Sequence, residues 1–475
     1  MIFHLINILE SLIKRSEEPK MDMDSSGLVK WLCPIAQAPE KMLELAVRDT
    51  KVTFADNMDE PVHRWFRFPA GFSANLVRTC LKIFNVKRGW LTLDPFAGSG
   101  TFNVVAKSMR IPSIGVELHP LLAWIARVKT YWEFDIRCLK SSISDIVSKA
   151  QNCLKFGELI NYMNNVEHAP PLLQKCYTKE VLAKLYLIKS LVEDIDDEHI
   201  RDFHLLALLS TLRDASDVDV GWPYILPRKR GKKRAQEPLL AFERRLVMQY
   251  NDVLRMREII GNDVPDCHIL EADVRNLTRY VDEESVSFAF TSPPYLNNYD
   301  YADRTRLELY FLGWASSWRD ITEKIRKKLI TSCSHQAKEK GLREGLRPRE
   351  ELPDEIKEGL IKRAELLRKI KYERGGRKDY DIMIVAYFNE MYEAMREICA
   401  VMRPGSFFVM ILGDSAPYGV HVPTDEYLGE IGLAVGFTSY KLYVLRERGN
   451  KWQYLVKRGR RHGVKLRETL VLFRR

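Results

Sequence analysis

Hydrophobic positions along the chain fall into short apolar runs separated by long stretches in which Leu, Ile and Lys recur at helical spacing. Residues 89–93 (GWLTL) form one such run and enter the turn Asp94-Pro95-Phe96-Ala97-Gly98-Ser99-Gly100-Thr101, after which a helical pattern begins at Phe102. A second run, Ser113 to Val116, ends in Glu117. Strand, turn, helix and strand in that order predict the opening βαβ unit of a parallel sheet. Beyond Pro120 the spacing predicts helices to about residue 215, then a loop over 214–227 and the basic run 228–234. Strand character returns at Cys267 to Glu271 and at Ser285 to Thr291, which runs into Ser292-Pro293-Pro294-Tyr295. A charged helical stretch over 301–380 precedes a helix near 384–402, a strand 406–412, a helix near 424–435 and strands around 437–445 and 467–473.

These elements predict an α/β protein: a doubly wound, mostly parallel, Rossmann-like sheet with a C-terminal antiparallel hairpin and two largely helical insertions. The expected segments are an N-terminal arm (1–59), core (60–125), a helical and basic insertion (126–262), core (263–300), a charged helical insertion (301–380) and core (381–475).

Composition narrows the class. The chain has 475 residues, 46% hydrophobic and 29% charged, which excludes collagen-like, wholly disordered and polytopic membrane proteins. Residues 1–13 are apolar but interrupted by Glu10 and too short to span a bilayer, so they read as an amphipathic helix or a start-site extension, and no membrane association is expected. Eight cysteines without a CxxC pair argue against a zinc ribbon or a disulfide scaffold, predict no metal site, and fit a reducing cytoplasm. The net charge of +10 is concentrated: residues 441–475 carry 12 Lys and Arg against two Asp and Glu. Such clusters attract a polyanion.

In open parallel sheets ligands bind at the carboxyl ends of strands, and four loops there carry informative residues. Gly98 and Gly100 allow close backbone approach, and the helix that follows offers free N–H groups. Glu117 ends the next strand, where a carboxylate can accept both ribose hydroxyls of a nucleoside cofactor. Asp273 is placed to meet an adenine amino group, and the fourth loop is Ser292 to Tyr295. A dinucleotide fingerprint is incomplete because Asn103 stands where its third glycine belongs, which disfavours NAD.

The combination of DPFAGSGT, two acidic strand ends and TSPPY resembles the S-adenosylmethionine-dependent amino-methyltransferases of DNA, in particular the SPPY-bearing type associated with cytosine N4. The resemblance implies a methyltransferase core in which Asp94, Phe96, Gly98, Gly100, Glu117 and Asp273 serve S-adenosylmethionine, while Ser292, Pro293, Pro294 and Tyr295 handle the base. The segment from His63 to Leu76 resembles the one that closes over the methionine end of the cofactor, although Phe66, Phe68 and Phe72 equally suit core packing. An exocyclic amino nitrogen is a poor nucleophile because its lone pair is delocalised into the ring. Acceptors such as the Ser292 hydroxyl and the Pro293 carbonyl, aimed at its hydrogens, favour a pyramidal nitrogen, with proline fixing their direction. Tyr295 is then expected to stack on an extruded base.

The chain departs from many relatives of that type in placing the glycine turn before SPPY, and its long insertion between Glu117 and Asp273 is unusual. Double-stranded DNA is the expected partner, with a restriction endonuclease as a possible further one. Candidates for DNA recognition are Trp222 and Tyr224 with Arg228, Lys229, Lys232 and Lys233, and the 301–380 insertion. Residues 297–304, directly after SPPY, are expected to line the base pocket. Adenine N6 methylation, an RNA base methylase and a silent nucleic-acid-binding subunit remain rival readings.

Overall fold

A computed structural model describes residues 39–44, 46, 54–68, 70–216, 218–219, 225–230, 235–376, 378–447 and 466–475. Contacts divide the chain into residues 1–46 and 47–475; in the first unit the described residues are helical. Residues 1–13 lie outside the described residues, as do Trp222, Tyr224, Lys232 and Lys233.

The second unit is built on a seven-stranded sheet. Its strands in chain order are β1 (Thr92–Asp94), β2 (Ser113–Val116), β3 (Cys267–Leu270), β4 (Val286–Thr291), β5 (Met402–Gly413), β6 (Ser439–Glu447) and β7 (Arg467–Arg474). The spatial order is β3-β2-β1-β4-β5-β7-β6. The first five strands are mutually parallel, whereas β7 runs antiparallel to both β5 and β6. This is the doubly wound sheet with a C-terminal antiparallel hairpin that the hydrophobic pattern predicts. All six residues of β4 are buried, as an apolar run between two parallel neighbours requires.

Helix α1 (Thr101–Ser108) follows the glycine turn, and α2 (Pro120–Thr130) follows β2 with proline in its first turn. The first insertion contributes α3 (Ile136–Lys155), α4 (Lys179–Glu193), α5 (Glu198–Asp214) and α6 (Pro238–Ile260). Asp135, Thr178, Asp197 and Glu237 cap these four by accepting first-turn backbone N–H groups. A short antiparallel ribbon pairs 218–219 with 226–230, where the sequence pattern predicts a loop. Two longer helices, α7 (Asp354–Glu373) and α8 (Tyr380–Val401), pack together before β5.

The first insertion is not a detached module. Trp65, Trp132, Phe203, Phe242 and Leu309 share one apolar cluster, which therefore joins the segment before the glycine turn to both insertions. Asp252 of α6 is buried and accepts hydrogen bonds from the Val62 N–H (3.0 Å), the Trp65 indole (2.9 Å) and Arg64 Nε (3.0 Å). The insertion thus fixes the residues that lead into the cleft described next.

Candidate active site

Asn103 explains how the glycine turn is built. It is fully buried in α1, its amide donates to Ser113 Oγ at 3.2 Å, and a Cβ on Gly115 would lie 2.6 Å from its Oδ1. A side chain here pins helix to strand where a dinucleotide fold would bring the two together through glycine. Gly98 and Gly100 both have positive φ (52° and 80°), a conformation that L side chains rarely adopt. A Cβ on Gly100 would also sit 3.0 Å from the Ala126 Cβ, so this glycine lets the turn close onto α2.

Around the turn opens a cleft of about 850 Å³ at the carboxyl ends of β1 to β4. Among the residues anticipated from sequence, Phe96, Gly98, Glu117, Asp273, Ser292 and Pro294 line it. Asp94, Gly100, Pro293 and Tyr295 are not among its lining residues.

Glu117 is half-buried and lines the cleft. Its Oε2 accepts the Gly98 N–H and its Oε1 the His119 N–H, each at 2.8 Å. Burial pushes its pKa up to about 7, against the opposing pull of those backbone donors. Asp94 is buried behind the turn, where its Oδ1 accepts the Thr291 hydroxyl at 2.6 Å and the Phe96 N–H at 3.1 Å. This bond ties the end of β1 to the end of β4, one residue before Ser292. Burial raises the Asp94 pKa to about 7 as well.

Because its pKa is raised, Glu117 keeps its proton well above the ordinary carboxyl range. The neutral form favours folding below that range, and this contribution is lost as pH rises through about 7. The ionised form, with its greater acceptor capacity, is present only above it. Affinity for a ligand whose hydroxyls donate to Glu117 is therefore expected to rise between about pH 6 and 8 and then level, and Glu117→Gln is expected to flatten the profile. Asp94 titrates in the same window but lies outside the cleft lining, so the substitution isolates Glu117. Calorimetry across that range checks both expectations.

Asp273 meets a partner that sequence spacing does not reveal. Arg275 grips both of its carboxylate oxygens, with Nε 2.9 and 3.0 Å from them and Nη2 at 2.6 Å. The carboxylate keeps lone pairs directed elsewhere and still lines the cleft.

The Ser292-Pro293-Pro294-Tyr295 loop leaves β4 at the cleft wall. The Tyr295 hydroxyl donates to Glu468 of β7 at 2.9 Å, and its N–H donates to the Tyr301 hydroxyl at 3.3 Å. The structure thus anchors the Tyr295 ring toward the last strand, and Tyr301 is the tyrosine that lines the cleft. It is the member of residues 297–304 that lines this cleft. Phe68 and Phe72 are buried and also line the cleft, whereas Phe66 belongs to the apolar core.

A smaller cavity of about 340 Å³ includes Asn297, Asn298, Asp414 and Ser415 in its wall. Asp414 immediately follows β5, is almost fully buried and receives His421 Nε2 at 3.0 Å. Sequence reading passed it over, although Leu412-Gly413-Asp414 is a further acidic strand end of the kind that singled out Glu117 and Asp273. Leu329 and Ile330 also line the main cleft and were missed, because their stretch reads as a charged insertion. Arg228 and Lys229 lie on the second strand of the short ribbon. Among the described residues no cluster of His, Cys, Asp and Glu could hold a metal ion, and no helix is long and apolar enough to cross a membrane.

Comparison with known proteins agrees with this geometry. A family model described as DNA methylase matches residues 29–126, a stretch that holds the glycine turn and Glu117. The type II methyltransferase M.BsoBI of Geobacillus stearothermophilus is 26% identical over 463 residues, covering 89% of this chain and 87% of its own. The chain is similar to the amino-methyltransferases among DNA methylases. The type II methyltransferase M.AvaI of Anabaena variabilis is 25% identical over 480 residues, covering 95% of this chain and 96% of its own. M.MvaI of Kocuria varians, another type II methyltransferase, is 20% identical over 389 residues, 79% of this chain and 82% of its own. Similarity to M.BsoBI and M.AvaI extends over nearly the full length, so both insertions fall within the matched region. These similarities support S-adenosylmethionine-dependent amino-methylation of DNA as the class of activity.

Proposed function

We propose that the chain transfers the methyl group of S-adenosylmethionine to the N4 amino group of a cytosine extruded from duplex DNA. The observation that carries this reading is a shared wall: Ser292 and Pro294 line the same cleft as Gly98, Glu117 and Asp273. The residues present suit the cofactor. Ser99 Oγ is buried at the cleft without a hydrogen-bond partner, and Glu117 and Asp273 supply acceptors for ribose and adenine.

S-adenosylmethionine, when bound, supplies an activated methyl group, which leaves positioning as the protein's main task. In this reading Phe96 and Gly98 border the cofactor, while Asp94 and Gly100 act from behind by holding the turn. Ser292 Oγ and the Pro293 carbonyl accept the two amino hydrogens of the base, and Pro294 stiffens the loop. Tyr295 braces the loop through Glu468. The serine at the head of SPPY, rather than an aspartate, supports cytosine N4 over adenine N6. Trp222, Tyr224 and the basic residues Arg228, Lys229, Lys232 and Lys233 are proposed to contact the duplex, and a reducing cytoplasm is the proposed setting.

Incubation with radiolabelled cofactor and either duplex DNA or structured RNA tests the substrate class. Label is expected in the duplex, with transfer falling steeply as salt rises. Transfer to RNA alone would overturn the DNA reading.

A further inference from the structure

Resting on that reading of the cleft, we propose that residues 328–334 of the second insertion form a strap that sets the adenine end of the cofactor site and the SPPY loop together. Arg275, Glu390 and Asn298 are its positioning residues.

At one end, Arg275 grips Asp273 and also donates through Nη2 to the Lys328 carbonyl at 2.8 Å. Leu329 and Ile330 follow and form part of the cleft wall. Glu390 of α8 then clamps the next residue, accepting the Thr331 N–H at 2.8 Å and its hydroxyl at 2.9 Å. The same carboxylate accepts Lys340 Nζ at 2.6 Å and lies 3.7 Å from Arg275 Nη1. At the other end, the strap is bonded to the residues that follow SPPY. The Asn298 N–H donates to the Ser332 carbonyl at 3.0 Å and the Ser332 hydroxyl to the Tyr299 carbonyl at 3.0 Å. Asn298 Oδ1 accepts both the Ser334 N–H (2.9 Å) and its hydroxyl (3.0 Å).

The strap is stiff between its ends. Thr331 and Ser332 are fully buried, and the buried Gln336 side chain accepts the Ser332 and Cys333 N–H groups and donates to the Ile330 carbonyl. A displacement at Asp273 is therefore carried to Asn298 through a continuous set of hydrogen bonds rather than absorbed in a loop. Asn298 itself has a φ of 60°, so the turn after SPPY is held in a conformation its contacts must maintain. Both sites bias one element, which is the physical condition for coupling between them.

Asn298→Gly tolerates the positive φ and removes the acceptor for Ser334 together with one side chain from the wall of the smaller cavity. It is expected to weaken S-adenosylmethionine binding about fivefold or more by calorimetry, although Asn298 is not in the wall of the cofactor cleft. Asn298→Asp keeps an acceptor and is expected to restore affinity. In the unaltered protein, adding S-adenosylhomocysteine is expected to slow hydrogen exchange at the Asn298 and Ser334 amides. The proposal is overturned if a folded Asn298→Gly protein binds the cofactor within about twofold of the original, or if exchange at those amides ignores the ligand while the protein binds it. Should the unaltered protein bind neither compound, the assignment of the cleft fails instead.

Discussion

Ser292→Ala is expected to slow methyl transfer about 30- to 1000-fold in single-turnover assays while leaving cofactor affinity nearly unchanged. The reason is where the hydroxyl acts. In the ground state the target amino group is planar and gains little from an acceptor above it, whereas in the transition state the nitrogen becomes pyramidal and its N–H bonds become more polar. An acceptor already held by the loop favours the second state selectively. Losing one such group is expected to remove about 2 to 4 kcal/mol of transition-state stabilisation, by analogy with an oxyanion-hole donor. The Asp94 to Thr291 hydrogen bond holds the residue before Ser292 against the glycine turn, so the loss of one hydroxyl is not expected to disturb the cofactor side. Equal rates for the two proteins at saturating DNA and cofactor would remove Ser292 from the mechanism.

Glu117→Ala is expected to act on the opposite half of the reaction, weakening S-adenosylmethionine binding by about 3 kcal/mol, or roughly 150-fold. Two losses combine. The ribose hydroxyls lose a charged acceptor, and the Gly98 and His119 N–H groups lose the carboxylate that orders the turn. Glu117→Gln keeps one acceptor oxygen, so its effect is expected to fall between the two. Calorimetry at pH 8, where the carboxylate is ionised, gives the full difference. An unchanged dissociation constant in a folded Glu117→Ala protein would contradict the assignment of this residue.

The parts of the site legible in the sequence are those set by local backbone chemistry. A glycine turn between a strand and a helix, an acidic residue closing a short apolar run, and Pro-Pro after a buried strand each announce themselves within a few residues, and all three meet at one cleft. The mostly parallel character of the sheet followed from the same runs, since parallel strands buried on both faces read as continuous apolar segments. What stayed hidden depends on contacts between distant segments. Arg275 reads as an ordinary surface arginine until the second insertion brings the Lys328 carbonyl to it. Leu329 and Ile330 are two apolar residues in a charged stretch, and only tertiary packing turns them toward the cleft. Tyr295 shows the converse: its place in SPPY suggested stacking on a base, but Glu468, far along the chain, holds its hydroxyl. The short ribbon at 218–230 has Pro223 and Gly221 between its strands, so turn residues concealed the pairing.

Isotope-labelled methyl transfer followed by digestion to nucleosides tests the central claim most directly. Duplex DNA incubated with the protein and S-adenosylmethionine carrying a deuterated methyl group is predicted to yield N4-methyldeoxycytidine bearing the label by mass spectrometry, and Ser292→Ala is predicted to yield far less in the same time. Label recovered as N6-methyldeoxyadenosine would contradict the choice of base, and the absence of label from every DNA nucleoside would contradict the account as a whole.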